Sequence, residues 1–191
     1  MSEILKDDFL EFRSNVILSD NYNNGAYNIW LCPPNEEYGY KIFFTHWMGP
    51  RNFLEKINIR KRGNKNRQSS TGITTIIDKN QNNPKNLNAL FEMLNKLYEC
   101  DLHPQPIEIF TYKSISGIKI KRAEKCPQNR YDNRKNEVNF KPLDWLIGDN
   151  HKNYLIDTNG IHNWGLIDNK IMPIDYDAME FSHYLTTQAS L

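Results

Sequence analysis

The stretch IHNWGLIDNKIMPID, residues 161–175, carries polar residues at both ends of two short apolar runs. Asn163 directly precedes WGLI, Asp175 directly follows IMPI, and the polar triplet DNK joins the runs. Two apolar runs with a tight polar link predict a β-hairpin, which leaves the amide and the carboxylate at its open end. Amide and carboxylate oxygens are hard donors of the kind that divalent cations bind. The alternative is a plain hairpin whose polar ends face solvent.

The composition indicates a folded protein that carries little net charge. Hydrophobic residues make up 39% of the 191 residues and charged residues 25%, which excludes a disordered chain and allows one domain or two small lobes. The formal net charge of +1 excludes a protein-wide attraction to nucleic acid or anionic membranes. The apolar runs are too short to span a bilayer, and the N-terminus shows no secretion signal. Three distant cysteines predict free thiols, so we expect a cytoplasmic protein.

The N-terminal half predicts an antiparallel sheet and one long helix. A short amphipathic helix over residues 3–13 precedes three expected strands, SNVILSD, YNIWLC and YKIFFTHW, which form a meander. Pro84 begins the clearest helix, whose apolar stripe is Leu87, Leu90, Phe91, Leu94, Leu97 and Tyr98. Two alternating strands, IEIFTYK and GIKIKRAEK, follow it. The fold class is therefore α+β, with a five-stranded antiparallel sheet.

The second half predicts a smaller set of elements. Residues 126–136 have the composition of a linker or loop, and FKPLDWLIGD, NYLID and AMEFSHYL predict a short helix, a short strand and a last helix around the hairpin. We expect an N-terminal lobe over residues 1–125 and a reduced C-terminal lobe over residues 126–191.

Residues 49–83 interrupt the first lobe with a basic stretch. The sequence RNFLEKINIRKRGNKNRQSS favours a flexible loop, and TGITTIID after it predicts an extra strand. The basic residues of 51–67 could contact nucleic-acid phosphates, although a solvated loop is the commoner use of such a run. The residues concerned are Arg60, Lys61, Arg62, Lys65 and Arg67.

The order of these elements resembles the protein-kinase-like fold, in its small aminoglycoside-phosphotransferase-like and phage-type variants. In that fold three strands, a helix and two more strands precede a hinge, a catalytic loop and a hairpin that ends in a metal-binding aspartate. The resemblance spans about residues 14–181. It implies that ATP binds between the lobes, against a hinge near Ala123 and Glu124, together with Mg²⁺.

The resemblance also assigns roles to individual residues. Lys41, in YGYKIFF on the third strand, matches the lysine that contacts the α- and β-phosphates. Glu92 in the long helix matches its ion-pair partner, with a solvated helix glutamate as the alternative. Gly25 lies in the loop that covers the phosphates in the family. Asn163 and Asp175 match the pair that holds Mg²⁺ against the β- and γ-phosphates.

The catalytic base is less clearly placed by the resemblance. Asp157 takes this role if the loop DTNGIH carries one extra residue, or His162 replaces it as a proton acceptor. Without either, the protein is a pseudokinase. In a second alignment GDNHKNYLID makes Asp149 the base and pairs Asn153 with Asp168 as metal ligands.

The resemblance leaves two classes of function open. The first is a minimal ATP-dependent phosphotransferase, since phosphoryl transfer depends mostly on positioning and charge neutralisation. The second is a phage-type interaction protein that modulates a host protein without catalysis. The short chain after Asp175 has no room for the family's large helical lobe, so we do not expect substrate proteins to dock there.

Overall fold

A computed structural model describes residues 2–17, 22–24, 28–44, 49–57, 84–113, 115–142 and 160–175. The helices are α1 (Ser2–Asn15), α2 (Gly49–Lys56), α3 (Pro84–Glu99) and α4 (Gln128–Glu137), with a 3₁₀ turn at Ile161–Asn163. The strands are β1 (Tyr22–Asn24), β2 (Asn28–Leu31), β3 (Tyr38–Phe43), β4 (Pro106–Tyr112), β5 (Ile115–Lys121), β6 (Glu124–Lys125), β7 (Trp164–Ile167) and β8 (Lys170–Pro173). None of these helices is long and apolar enough to cross a membrane.

The larger sheet has five antiparallel strands in the order β1-β2-β3-β5-β4. This confirms the prediction of an α+β fold with a five-stranded antiparallel sheet. A second sheet contains β6, β7 and β8, and β7 and β8 form the hairpin predicted from WGLI and IMPI. Because β3 is the middle strand of the larger sheet, its side chains are enclosed by neighbours on both sides.

Each face of the larger sheet packs on its own core. The face that carries Ile29, Leu31 and Ile42 packs against α1 and α2. The opposite face, which carries Ile118 and Ile120, packs against α3 and also against residues of the small sheet. One hydrophobic cluster therefore contains residues from both predicted lobes: Leu87, Leu90, Met93, Leu94, Leu97, Leu102, Ile118, Ile120, Cys126, Val138, Trp164 and Ile171.

The predicted long helix is confirmed as α3. The four leucines of its apolar stripe are buried, Leu97 completely, whereas Tyr98 at the end of the stripe is exposed. The helix ends after Glu99, where Asp101 adopts a positive φ of 59° and the Leu102 N–H bonds to the Leu97 carbonyl at 2.8 Å. This tight turn, followed by Pro104, directs the chain into β4.

The strand prediction over SNVILSD is wrong for residues 14–17. Helix α1 extends through Asn15, because Phe9 and Phe12 anchor it in the core and the Ser14 hydroxyl bonds to the Leu10 carbonyl at 2.8 Å. The first strand, Tyr22–Asn24, instead lies between the first two predicted strands. Tertiary packing outweighed the β-propensity of the Val-Ile-Leu run.

The start of the predicted basic loop is a helix. Phe53 and Leu54 of α2 are buried against the sheet, and so is Ile57, which directly follows the helix. Their spacing suits one face of a helix, but the surrounding basic residues concealed the pattern. The expected strand TGITTIID lies outside the described residues.

The linker prediction for residues 126–136 is also wrong, since most of that stretch forms α4. The helix has no buried residue and therefore no apolar stripe to identify it. Side-chain pairs support it instead, including Arg130 with Glu137 at 2.7 Å and Gln128 with Asp132 at 2.9 Å. The strand NYLID and the helix AMEFSHYL, as well as most of FKPLDWLIGD, lie outside the described residues.

Candidate functional site

Buried polar side chains collect where the larger sheet meets the open end of the hairpin. Asn28 on β2 and Lys41 on β3 are both buried, and both contact Asp175, which directly follows Ile174 after β8. Asn163, immediately before β7, is 2% exposed. Because burying a polar group is costly unless it finds a partner, such a concentration indicates a built site.

The ammonium group of Lys41 is the positive centre of this site. Its Nζ lies 3.0 Å from Asp175 Oδ1 and also donates to the Ile174 carbonyl at 3.3 Å. The Lys41 side chain is 9% exposed and that of Asp175 39%. A charge this deeply buried needs a nearby counter-charge, and here a residue 134 positions away supplies it.

Asn28 holds the same oxygen of Asp175 from the neighbouring strand. Its Nδ2 donates to Asp175 Oδ1 at 3.3 Å. Asn28 pairs with Phe43, two residues from Lys41, so both donors project from one face of the sheet. Two donors contact Oδ1, and Asp175 Oδ2 accepts no hydrogen bond from the described residues.

Asn163 and Asp175 lie at the same end of the hairpin. Trp164 pairs with Pro173, and the Asn163 carbonyl accepts the Ile174 N–H at 2.9 Å, which puts Asn163 across from the residue that precedes Asp175. The predicted amide and carboxylate therefore share one end of the hairpin. Asp168, which the second alignment makes a metal ligand, lies in the turn at the opposite end of the hairpin and pairs with Lys121 at 3.0 Å.

His103 belongs to the same buried region, although the sequence suggested no role for it. It is 2% exposed, and its Nδ1 lies 2.6 Å from the Pro104 carbonyl, which can only accept, so Nδ1 carries the proton. Burial lowers the pKa of His103 to about 3, and the charge of Lys41 acts in the same direction. The Pro104 hydrogen bond and Asp175 oppose this shift more weakly. The ring is therefore neutral at physiological pH.

Two other predicted site residues lie on the surface. Glu92 is exposed on α3, and the carboxylate that pairs with Lys41 is that of Asp175. His162 is exposed in the 3₁₀ turn beside Asn163, with its ring against Gly160. Other predictions fall on residues that the structure does not describe: Gly25, Asp149, Asn153, Asp157, Arg60, Lys61, Arg62, Lys65 and Arg67.

The donors of the site fit a cation that retains water and phosphate ligands. No group of three or more His, Cys, Asp or Glu residues in the described ranges could hold a metal by itself. One carboxylate at this end of the hairpin, that of Asp175, and one amide, that of Asn163, provide a sparse set of oxygen donors. Mg²⁺ is bound in this way, by one or two protein oxygens together with substrate phosphates.

Comparison of the chain with protein-family models, curated proteins and solved structures finds no match. The interpretation of this site therefore depends on the residues themselves and on their geometry.

Proposed function

We propose that this chain is a minimal kinase-like protein that binds ATP with Mg²⁺ at Lys41, Asn163 and Asp175. The observation that carries the proposal is the 3.0 Å contact between Lys41 and Asp175. The resemblance gives these distant residues separate roles, one on phosphate and one on metal. Such roles are compatible only if both groups lie within reach of the same triphosphate, and their contact meets that condition.

The hydrogen bonds of the site support this division of roles. A lysine ammonium has three donors, and within the described residues Lys41 uses two of them, on Ile174 and Asp175. One donor is left for a phosphate oxygen. Asp175 Oδ2 and the Asn163 amide would hold Mg²⁺, which neutralises phosphate charge when it is bound.

The order of elements supports the same proposal. Strands β1–β3 are followed by α2 and α3, and then by β4 and β5, which precede Arg122–Ala123, β6 and the hairpin. This is the order that the family has before and after its hinge, so the proposed adenine position lies near Ala123 and Glu124. We place the function in the cytoplasm, where ATP is abundant and free thiols such as Cys32, Cys100 and Cys126 persist.

Binding without turnover is the second candidate. In the described part of the chain, the one carboxylate that contacts Lys41 is that of Asp175. The proposed metal ligand is therefore also the ion-pair partner of the lysine. A pseudokinase, or a phage-type protein that modulates a host protein, would use the nucleotide only as a structural ligand. Phosphoryl transfer needs a proton acceptor, for which Asp157 and His162 remain the candidates.

The Lys41→Met variant tests nucleotide binding. We expect ATP with Mg²⁺ to raise the melting temperature of the wild type, because a ligand that binds only the folded state stabilises it. Hydrogen bonds to charged groups contribute about 1.5–3 kcal/mol, so Lys41→Met should weaken nucleotide affinity by roughly 10- to 100-fold. Isothermal titration gives the affinities directly.

Lys119→Met is the matched control. Lys119 lies on the adjacent strand β5 and pairs with Glu108 at 3.2 Å, on the other face of the sheet. This variant should bind nucleotide like the wild type. No binding by the wild type, or equal losses in both variants, would contradict the proposal.

Radiolabelled ATP separates the two candidates. Transfer of the label or release of phosphate by the purified protein would exclude the non-catalytic one. Binding with no turnover would instead select it.

A further inference from the structure

Tyr131 of helix α4 contacts the loop that carries Asn163. The Tyr131 hydroxyl accepts the Gly160 N–H at 3.0 Å. The Tyr131 ring packs edge-on against Trp164, with centroids 6.5 Å apart, and the Arg134 guanidinium lies 3.9 Å above it. Trp164 and Arg134 thus restrain the ring, and with it the position of the hydroxyl that accepts the Gly160 N–H.

The hydrogen bond to Tyr131 is the first of four that end at Lys41. The Gly160 carbonyl accepts the Asn163 N–H at 3.1 Å, and the Asn163 carbonyl accepts the Ile174 N–H at 2.9 Å. The Ile174 carbonyl then accepts Lys41 Nζ at 3.3 Å. Every group of the proposed site is therefore attached to this series or adjoins it.

Gly160 is the place in this series where an external restraint matters most. Its φ of 93° is accessible mainly to glycine, and an added Cβ would lie 2.5 Å from the His162 ring. A glycine also has the widest choice of alternative conformations, so the peptide needs a fixed partner to keep this one.

We propose that Tyr131 is a positioning residue for the cation-binding pair Asn163 and Asp175. Its hydroxyl fixes the Gly160 peptide, and this peptide fixes the backbone from which the Asn163 amide projects. The inference rests on the proposed Mg²⁺–nucleotide function. It adds that a surface helix with no buried residue sets the geometry of the site.

Tyr131→Phe isolates the hydroxyl, because the phenyl ring can keep its packing on Trp164. Tyr98→Phe is the matched control, since Tyr98 is exposed on α3 and its hydroxyl bonds to none of the described residues. Without any ligand, we expect amide exchange at Gly160 to accelerate about 5- to 10-fold in Tyr131→Phe, the equivalent of one hydrogen bond of about 1 kcal/mol. Exchange should stay unchanged in Tyr98→Phe.

The second measurement uses Mn²⁺ with a non-hydrolysable ATP analogue, followed by electron paramagnetic resonance. Tyr131→Phe should bind Mn²⁺ roughly 10-fold more weakly, as is typical when a residue that orients metal ligands is lost. The affinity of Tyr131→Phe for the analogue without metal should not change. General destabilisation would weaken both affinities, so a loss of Mn²⁺ binding alone indicates a positioning role.

The outcomes separate the two proposals. If the wild type binds Mn²⁺ and Tyr131→Phe binds it equally well, the positioning role is overturned and the proposed function stands. Unchanged exchange at Gly160 would also overturn it. If the wild type with the analogue binds no Mn²⁺, the proposed function and this inference both fail.

Discussion

Replacing Asp175 with asparagine is expected to abolish the Mg²⁺-dependent part of nucleotide binding. The substitution keeps the size of the side chain and removes the charge that pairs with Lys41 at 3.0 Å. It also neutralises Oδ2, the oxygen that the described residues leave without a hydrogen bond. A neutral amide is a far weaker Mg²⁺ ligand than a carboxylate, so we expect a 100-fold or greater loss, about 2.7 kcal/mol. Titrating the wild type and the variant with nucleotide, with and without Mg²⁺, measures this loss of affinity.

The same variant has an effect that needs no ligand. Removing one partner of a fully buried ion pair costs about 3–5 kcal/mol, because the other charge stays uncompensated. Asp175 is 39% exposed, and solvent reduces this effect, so we expect a loss of about 1–3 kcal/mol in the free energy of unfolding. Urea denaturation measures that change.

Asp168→Asn is the matched control and also tests the second alignment of the family pattern. Asp168 pairs with Lys121 at 3.0 Å, but its side chain is 77% exposed. Exposed ion pairs contribute about 0–1 kcal/mol, so stability and nucleotide binding should both stay close to those of the wild type. If Mg²⁺ dependence is lost in Asp168→Asn and kept in Asp175→Asn, the assignment is reversed.

The elements that could be predicted from the sequence are those with a regular apolar pattern. Helix α3 has a continuous stripe, and β4, β5, β7 and β8 alternate or are bounded by turn residues. Helix α4 has neither feature, because all of its side chains are exposed or half-buried and polar side-chain pairs stabilise it. The strand prediction fails at the end of α1 for the opposite reason, because packing of Phe9 and Phe12 determines a helix where local propensity favours a strand.

The candidate site was predictable only in part. Asn163 and Asp175 could be paired because a hairpin closes locally and brings its two ends together. The register of the larger sheet brings Asn28 to this region, and the turn after α3 brings His103 there. No local sequence pattern indicates either placement. Their burial is the signal that separates them from ordinary surface residues, and burial depends on the whole fold.

Acidification is expected to destabilise the metal-free protein through His103. The pKa of this imidazole falls from 6.5 to about 3 on folding, mainly through burial. Between these values the unfolded chain binds a proton that the folded protein excludes. The contribution of His103 is therefore present above about pH 6.5 and is lost as the pH falls toward 3, by about 1.4 kcal/mol per pH unit.

His103→Gln removes the titration and can still offer an amide donor to the Pro104 carbonyl. The glutamine side chain differs in shape from imidazole, so we expect the variant protein to be less stable than the wild type at pH 7. That difference should narrow by roughly 2–3 kcal/mol between about pH 6.5 and pH 4.5, because only the wild type loses the His103 contribution. Urea denaturation of both proteins at several pH values measures this difference. Parallel stability curves for His103→Gln and the wild type would show that the buried ring does not exclude a proton, and that the region around Lys41 and Asp175 is open to water.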